Sequence, residues 1–262
     1  MPEQAKDQVK SGDRDYQIVP TYPLTAQLYD RMVGLYAFEQ WRENFERLER
    51  RYEFDLSLSG DVACGTGLAS SYLLGRGAGV MGFDRSPQML LAARKRMPAS
   101  AVRLLRQDMR YLSPPFLLSL IICASDSMNH LLCELDIRRA LRSFSAALKP
   151  GGYVLFDMNT AWQLREGSDS EPWDFEVDGV PMRWLSQWRE SDQTAHLRLI
   201  FPGIINESGA AKVEVHRERA YPAGRILQEL SDAGFDMAEV LDAAGLGKAG
   251  DKTRRLQFIA RK

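Results

Sequence analysis

After Tyr52 the sequence alternates between short apolar runs and amphipathic helical patterns, and few folds accommodate such an alternation. The apolar runs span residues 54–63, 79–83, 101–105, 117–124 and 153–158, and residues 134–148 have one apolar stripe at helical spacing. Strands that are apolar on both faces and alternate with helices indicate a parallel sheet covered on both sides. The pattern therefore predicts an α/β, doubly wound fold.

The segments that flank or interrupt this alternation have other patterns. Residues 1–20 are charged and show no period, which predicts a flexible arm. Residues 21–52 place apolar side chains at spacings of three and four, which predicts a lid of one or two amphipathic helices. Residues 161–220 include a stretch of period two and predict an inserted antiparallel β meander. The main domain then comprises residues 53–160 and 221–262.

Composition excludes several classes of protein. Lys and Arg number 34 and Asp and Glu 35, so the formal charge is −1 and no basic field exists to hold a nucleic-acid backbone. The cysteines, Cys64, Cys123 and Cys133, form no Cys-x-x-Cys pair, which argues against a disulfide framework and a zinc site. No run approaches the roughly 18 apolar residues of a membrane span. We expect a cytoplasmic protein with no membrane, metal or nucleic-acid partner.

The first predicted strand leads into a loop with two glycines, Gly65 and Gly67. Because glycine has no Cβ, this turn can approach a ligand closely and can adopt positive φ. Asp84 ends the second strand, where a carboxylate can accept hydrogen bonds from both hydroxyls of a ribose. The carboxylate of Asp61, just before the loop, suits an ammonium or sulfonium group better than a pyrophosphate. An adenosine-containing ligand is indicated, with a nicotinamide-dependent reductase as an alternative.

Five motifs, in order, resemble those of the class I S-adenosylmethionine-dependent methyltransferases. They are Asp61-Val-Ala-Cys-Gly-Thr-Gly67, Gly82-Phe-Asp84-Arg-Ser86-Pro-Gln-Met89-Leu90, Gln107-Asp108-Met109, Asp126-Ser-Met-Asn-His130 and Leu148-Lys-Pro-Gly-Gly-Tyr-Val-Leu-Phe-Asp157. The layout is similar to that of sugar N-methyltransferases and glycine N-methyltransferase-like proteins. The resemblance implies a mostly parallel, seven-stranded, Rossmann-like sheet. It also implies S-adenosylmethionine as cofactor and S-adenosylhomocysteine as product.

The same resemblance implies a cofactor site. The glycine loop holds the methionine part, Asp84 binds the ribose, and Met89 packs near the adenine. Asp108 and Met109 meet the adenine amino group and face, and Ser125 lies beside the sulfonium. The complete set of predicted cofactor residues is Tyr29, Asp61, Ala63, Cys64, Gly65, Gly67, Asp84, Arg85, Met89, Asp108, Met109 and Ser125.

In-line methyl transfer requires few catalytic side chains, because the cofactor supplies the electrophile. The acceptor must lose a proton, which is a task for a histidine or carboxylate at the carboxyl edge of the sheet. His130 is predicted to be catalytic or to orient the substrate, although packing on the next helix is an alternative. Asp126 is predicted to orient the base or the acceptor, or else to cap a helix. His196 and His216, in the meander, are expected on a solvated strand face.

We therefore expect an enzyme that transfers a methyl group from S-adenosylmethionine to nitrogen or oxygen of a small molecule. The alternatives are an RNA or protein methyltransferase and a non-catalytic S-adenosylmethionine-binding protein. The meander is expected to cover the acceptor site, with Trp184 and Trp188 either roofing that site or packing on the main domain. The sequence leaves the acceptor unidentified and a homodimer open.

Overall fold

The computed structural model of the protein describes residues 16–19, 21–168, 171–207 and 209–262, with the side chains of 33–36 excepted. The α-helices, in chain order, are α1 (Leu35–Tyr52), α2 (Leu68–Gly75), α3 (Pro87–Arg96), α4 (Glu134–Ala147), α5 (Ala161–Ser168) and α6 (Ala223–Asp232). Short helical turns lie at Thr25–Gln27, Asp30–Gly34, Met109–Tyr111 and Ser127–His130. Within these ranges, no helix is long and apolar enough to cross a membrane.

The strands belong to two separate sheets. In chain order they are β1 (Tyr16–Val19), β2 (Leu58–Val62), β3 (Gly79–Asp84), β4 (Val102–Arg106), β5 (Leu118–Cys123), β6 (Leu148–Asn159), β7 (Trp173–Val177), β8 (Val180–Arg189), β9 (Thr194–Ile205), β10 (Ala211–Arg219), β11 (Met237–Asp242) and β12 (Arg255–Arg261). The larger sheet has seven strands in the order β11-β12-β6-β5-β2-β3-β4. All its neighbours are parallel except β11 with β12 and β12 with β6.

Helices cover both faces of the seven-stranded sheet. On β5, Ile121 and Cys123 face a cluster with residues of α4 and α6. Leu120 and Ile122, on the same strand, face a second cluster with residues of α1, α2 and α3. Because both faces of the strand are buried, its sequence is a continuous apolar run rather than an alternating one. The predicted doubly wound α/β fold is confirmed.

The predicted meander forms a second sheet with the order β1-β10-β9-β8-β7. The connections between β7, β8, β9 and β10 are antiparallel, as the period-two pattern indicates. On β8, Met182 is buried and Trp184 packs beside it in a cluster that includes Leu199 of β9. This sheet follows α5 directly, so it lies next to the carboxyl ends of the parallel strands.

The prediction of a flexible arm over residues 1–20 is wrong for part of that range. Residues 16–19 form β1, which pairs in parallel with β10 from Ala211 to Glu214. The charged residues before it hid this strand, because four residues are too few to show a period, although Tyr16, Ile18 and Val19 are residue types that favour strands. Residues 1–15 and 20 lie outside the described residues. The helical lid predicted for 21–52 consists of two short helical turns followed by α1.

Candidate active site

The candidate site is a cavity of about 460 Å³ at the carboxyl ends of the central parallel strands. Strand order reverses at β2, which pairs with β5 on one side and β3 on the other. Open α/β sheets bind ligands at this kind of position, in the crevice outside the strand ends. Residues from 22–41 and from the second sheet form the remaining walls. The volume falls in the usual range for small-molecule sites, about 300 to 1,000 Å³.

Most residues predicted from the sequence lie on the wall of this cavity. The predicted catalytic residues His130 and Asp126 both line it. The cofactor residues on the wall are Tyr29, Asp61, Ala63, Cys64, Gly65, Asp84, Arg85, Met89, Asp108, Met109 and Ser125. Gly67 is not among the described residues that line it. The individual roles assigned to these residues stay predictions.

The glycine loop and Asp84 form one end of the cavity. Gly65 has a φ of +53°, and the backbone N–H of Gly65 donates to the Asp84 carboxylate over 2.9 Å. The N–H of Ser86 donates to the other carboxylate oxygen over 2.7 Å. Asp84 is buried, and burial raises the pKa of its carboxyl. Two backbone donors therefore orient the carboxylate and leave each oxygen a further lone pair for a ligand.

Asp61 lies on the wall at the end of β2 and is also buried. The Ser70 hydroxyl donates to its carboxylate over 2.6 Å. Burial raises the pKa of Asp61 to about 7, so a cationic ligand nearby would favour its ionised form.

Cys64, in the loop, is buried too, and burial raises the pKa of its thiol well above the usual value. The thiol therefore stays protonated and is a poor nucleophile.

Asp108 follows β4 on the same side of the cavity. The Arg110 guanidinium donates to both oxygens of its carboxylate, with N···O distances of 2.9 and 2.7 Å. These hydrogen bonds lower the pKa of Asp108, so the group is an anion and a hydrogen-bond acceptor at neutral pH. Arg110 also bonds Asp136 of α4. The position of Asp108 thus depends on an ion-pair chain that reaches the next helix.

A strained turn follows β5, where Ser125 and Asp126 adopt φ values of +58° and +51°. Their backbone N–H groups donate to the two oxygens of Asp157, over 2.8 and 2.9 Å. Arg255 of β12 donates to Asp157 over 2.6 Å and to Asp126 over 3.0 Å. Non-glycine residues in this conformation cost free energy and persist only where surrounding groups hold them. Asp157 and Arg255 supply that support at the centre of the site.

His130 has a defined orientation in the cavity. Its Nδ1 lies 3.0 Å from the backbone carbonyl oxygen of Arg217, which can only accept, so Nδ1 bears the proton. Its Nε2 therefore has a lone pair, and the Tyr22 hydroxyl lies 3.3 Å from it. Burial lowers the pKa of His130 below its usual value, with the charge of Asp126 acting in the opposite direction. The ring is neutral at pH 7 and can accept a proton at Nε2.

Glu218 of β10 adds a second carboxylate beside Asp126. The Asn159 amide donates to Asp126 over 2.5 Å and to Glu218 over 3.1 Å. Burial, followed by the charge of Asp126, raises the pKa of Glu218 to about 8. Among the described residues, the buried amide oxygen of Asn159 has no hydrogen-bond partner. The cluster therefore presents several acceptors, and Arg255 donates to one of them, Asp126.

Sequence reasoning missed several wall residues. They are Tyr22, Asn159, His216, Glu218 and Arg255. The expectation that His216 lies on a solvated strand face is wrong, because the side chain is buried and contacts the ring of Tyr22 at 5.0 Å between centroids. The period-two pattern could have indicated the face shared by His216 and Glu218, since they are two residues apart on β10. His196 lies outside the described cavity lining.

Among the described residues, no group of three or more His, Cys, Asp or Glu side chains is arranged to hold a metal ion.

Trp184 of β8 lines the cavity, whereas Trp188 packs on a separate cluster with Leu164 and Ala195. Trp184 therefore lies on the cavity wall, whereas Trp188 packs within residues 161–220 and not on the main domain.

Comparison with known proteins gives consistent results. A family profile described as a methyltransferase domain matches residues 60–152. YqeM of Bacillus subtilis, which is named only as a methyltransferase, is 26% identical over 244 residues, covering 90% of this chain and 95% of that one. A dTDP-3-amino-3,6-dideoxy-alpha-D-glucopyranose N,N-dimethyltransferase of Streptomyces fradiae is 28% identical over 193 residues, covering 73% of this chain and 69% of that one. A crystal structure of an S-adenosylmethionine-dependent methyltransferase from Clostridium acetobutylicum superimposes with a TM-score of 0.78 at 24% identity, covering 92% and 98% of the two chains.

Proposed function

Because this chain belongs to the S-adenosylmethionine-dependent methyltransferases, we propose that it methylates a nitrogen atom of a small molecule. The name of the Streptomyces fradiae relative gives an amine nitrogen as its acceptor, which supports nitrogen over oxygen. The acidic wall formed by Asp126 and Glu218 supports the same choice, since an amine is cationic before it reacts. A phenol or alcohol has no positive charge and would gain less from two neighbouring carboxylates.

The glycine-loop end of the cavity fits S-adenosylmethionine. A Cβ on Gly65 would meet only the Met89 sulfur, at 4.0 Å, so the backbone there is open to a ligand. The donor set also fits, because Asp61 and Asp84 offer carboxylates to a positive group and to ribose hydroxyls. The cofactor supplies an electrophilic methyl group, whose bond to sulfur breaks as the acceptor lone pair bonds to its carbon.

The residues of this chain then act on the acceptor. Asp126 attracts its ammonium form, and the arriving cation favours the ionised form of Glu218, which then adds to the attraction. The neutral imidazole of His130 accepts the proton that frees the nitrogen lone pair. The Ser125–Asp126 turn, held by Asp157, fixes the position of these groups relative to the strand ends. The second sheet and residues 22–41 exclude water from the reacting atoms.

The observation on which this proposal depends most is the tautomer of His130, whose Nε2 lone pair lies beside the Tyr22 hydroxyl on the cavity wall. His130→Gln retains a polar side chain but removes the base, so kcat is expected to fall about 100-fold. The measurement is S-adenosylhomocysteine release during incubation with S-adenosylmethionine and a panel of amines.

The pH dependence of the wild-type enzyme is a second test. Wild-type kcat should decrease with falling pH only below about 6.5, because burial lowers the pKa of His130.

His196→Gln is a matched control, since this histidine of β9 is outside the described cavity lining. It should leave kcat and its pH dependence unchanged. Unaltered kcat in His130→Gln would show that His130 is not the base. Tight S-adenosylhomocysteine binding without methyl transfer to any amine would favour a non-catalytic binding protein instead.

A further inference from the structure

The cavity wall has more acidic than basic side chains, an imbalance that the chain as a whole lacks. Among the described lining residues, the carboxylates are Asp61, Asp84, Asp108, Asp126 and Glu218, and the cations are Arg85 and Arg255. Arg255 bonds both Asp126 and Asp157, so its charge is already matched. The charge of Arg85 favours the ionised forms of Asp84 and Asp108. Arg255 is therefore not left to neutralise an anionic acceptor, and acidic side chains outnumber basic ones on the wall.

The wall opposite the glycine loop is apolar. It is formed by Leu164 of α5, Trp184 of β8 and Leu197 and Leu199 of β9. Leu164 and Leu199 are buried, and Trp184 packs in the same cluster as Leu199. The hydroxyls of Ser168 and Ser186, which also line this region, hydrogen-bond each other over 2.9 Å. A ligand in this half of the cavity would contact mainly hydrocarbon and an indole ring.

We propose that the acceptor is an amine with an apolar, phosphate-free body. Its ammonium group contacts Asp126, Glu218 and the unpartnered oxygen of Asn159, and its body lies against the wall that includes Trp184. This inference deepens the proposed function and depends on nitrogen being the methylated atom.

An acceptor joined to a nucleoside diphosphate is disfavoured in this cavity. Its phosphates would be brought close to five acidic side chains, while Arg255 is already paired with Asp126 and Asp157, and unpaired charges in such a site are costly. The Streptomyces fradiae relative is named for a dTDP-linked amino sugar. Specificity in this chain is therefore expected to differ from that relative, although the fold is shared.

Binding to the protein loaded with S-adenosylhomocysteine tests the inference directly. The probes for calorimetric titration are 2-phenylethylamine, ethanolamine and dTDP-3-amino-3,6-dideoxy-α-D-glucopyranose. We expect 2-phenylethylamine to bind at least about tenfold more tightly than ethanolamine, because burial of an aromatic side chain is worth about 1.5–3 kcal/mol. The nucleotide-linked sugar should bind most weakly.

Two variants test separately how the apolar half and the acidic half of the cavity contribute to amine binding. Trp184→Ala should reduce the affinity ratio between 2-phenylethylamine and ethanolamine by about tenfold, because only the former contacts the apolar wall. Glu218→Gln should weaken both amines by a similar factor and leave the ratio intact. Phe116→Ala, which changes a side chain that is 62% exposed and outside the described lining, is the control and should alter neither affinity.

The outcomes distinguish this inference from the proposed function. Tightest binding by the nucleotide-linked sugar, or an ethanolamine affinity equal to that of 2-phenylethylamine, would overturn the inference alone. A ratio unchanged in Trp184→Ala would also overturn it. Failure of the wild-type protein to bind S-adenosylhomocysteine would instead contradict the proposed function.

Discussion

Gly65 and Gly67 are two residues apart, and each is explained by different surroundings. Gly65 faces the cavity, and only the sulfur of Met89 comes within 4.0 Å of where its Cβ would lie. A Cβ on Gly67 would lie 2.5 Å from Cε of Met97 and 3.2 Å from Cβ of Ala93. Gly65 therefore permits ligand approach, whereas Gly67 permits α2 and α3 to pack closely.

Gly67→Ala is expected to lower the free energy of unfolding by about 2–3 kcal/mol, through positive φ and the overlap with Met97. Positive φ strains any other residue here, and Ala93 as well as Met97 must give way to the added Cβ, so we expect the loop to shift and S-adenosylhomocysteine affinity to fall at least about tenfold. Urea unfolding and calorimetric titration measure the two effects. Gly77→Ala is the matched control, because Gly77 has a similar φ of +81° but nothing within 4 Å of its Cβ position. Equal effects of the two variants on affinity would refute this explanation.

At the scale of elements, one carboxylate joins the N-terminal segment to the second sheet. Glu214 of β10 is fully buried and accepts hydrogen bonds from the backbone N–H groups of Leu24 and Thr25 and from the Thr25 hydroxyl. His216 adds a further contact at 3.4 Å. Burial alone would raise the pKa of Glu214, but these hydrogen bonds outweigh burial and lower the pKa below its usual 4.5. Tyr22 and Thr25 on the cavity wall are thereby held by β10.

Glu214→Gln should loosen this connection, because an uncharged acceptor forms weaker hydrogen bonds with the same donors. We expect a loss of about 2 kcal/mol in the free energy of unfolding and faster amide exchange over residues 22–32. The pKa of Glu214 is lower in the folded than in the unfolded protein. The stability advantage of wild type over Glu214→Gln should therefore be complete above pH 4.5 and should shrink as pH falls below that value.

Hydrogen exchange with mass spectrometry measures the local effect of Glu214→Gln. Glu239→Gln is the control, because Glu239 of β11 contacts Arg51 and Tyr52 at the far end of α1. Unchanged exchange over residues 22–32 in Glu214→Gln would mean that other contacts hold the segment.

At the scale of the whole molecule, charge is distributed unevenly. The formal charge of the chain is −1, yet its cavity has five carboxylates and two guanidinium groups among the described lining residues. A near-neutral chain gives no indication of this local field, because composition sums over the surface and the interior alike. Residues of both sheets line this cavity.

The affinity for a cationic acceptor should therefore decrease with salt. Between about 50 and about 500 mM NaCl we expect 2-phenylethylamine binding to weaken about threefold, because screening reduces the attraction of the carboxylates. The neutral isostere 2-phenylethanol should show no such change in the same titration. Identical salt dependence for the two ligands would contradict an electrostatic role for the cavity.

Local patterns in the sequence determined the seven-stranded α/β fold, the meander and the methyltransferase family, and these predictions are confirmed. They depend on hydrophobic period and on glycine sterics, which are properties of neighbouring residues. The tertiary structure alone decided that Asn159, Glu218 and Arg255 meet Asp126, since these residues come from different strands and a loop. Likewise, only burial decided the raised pKa of Glu218 and the buried position of His216. The physical reason is that charge, desolvation and hydrogen bonding at the acceptor end depend on contacts between distant parts of the chain.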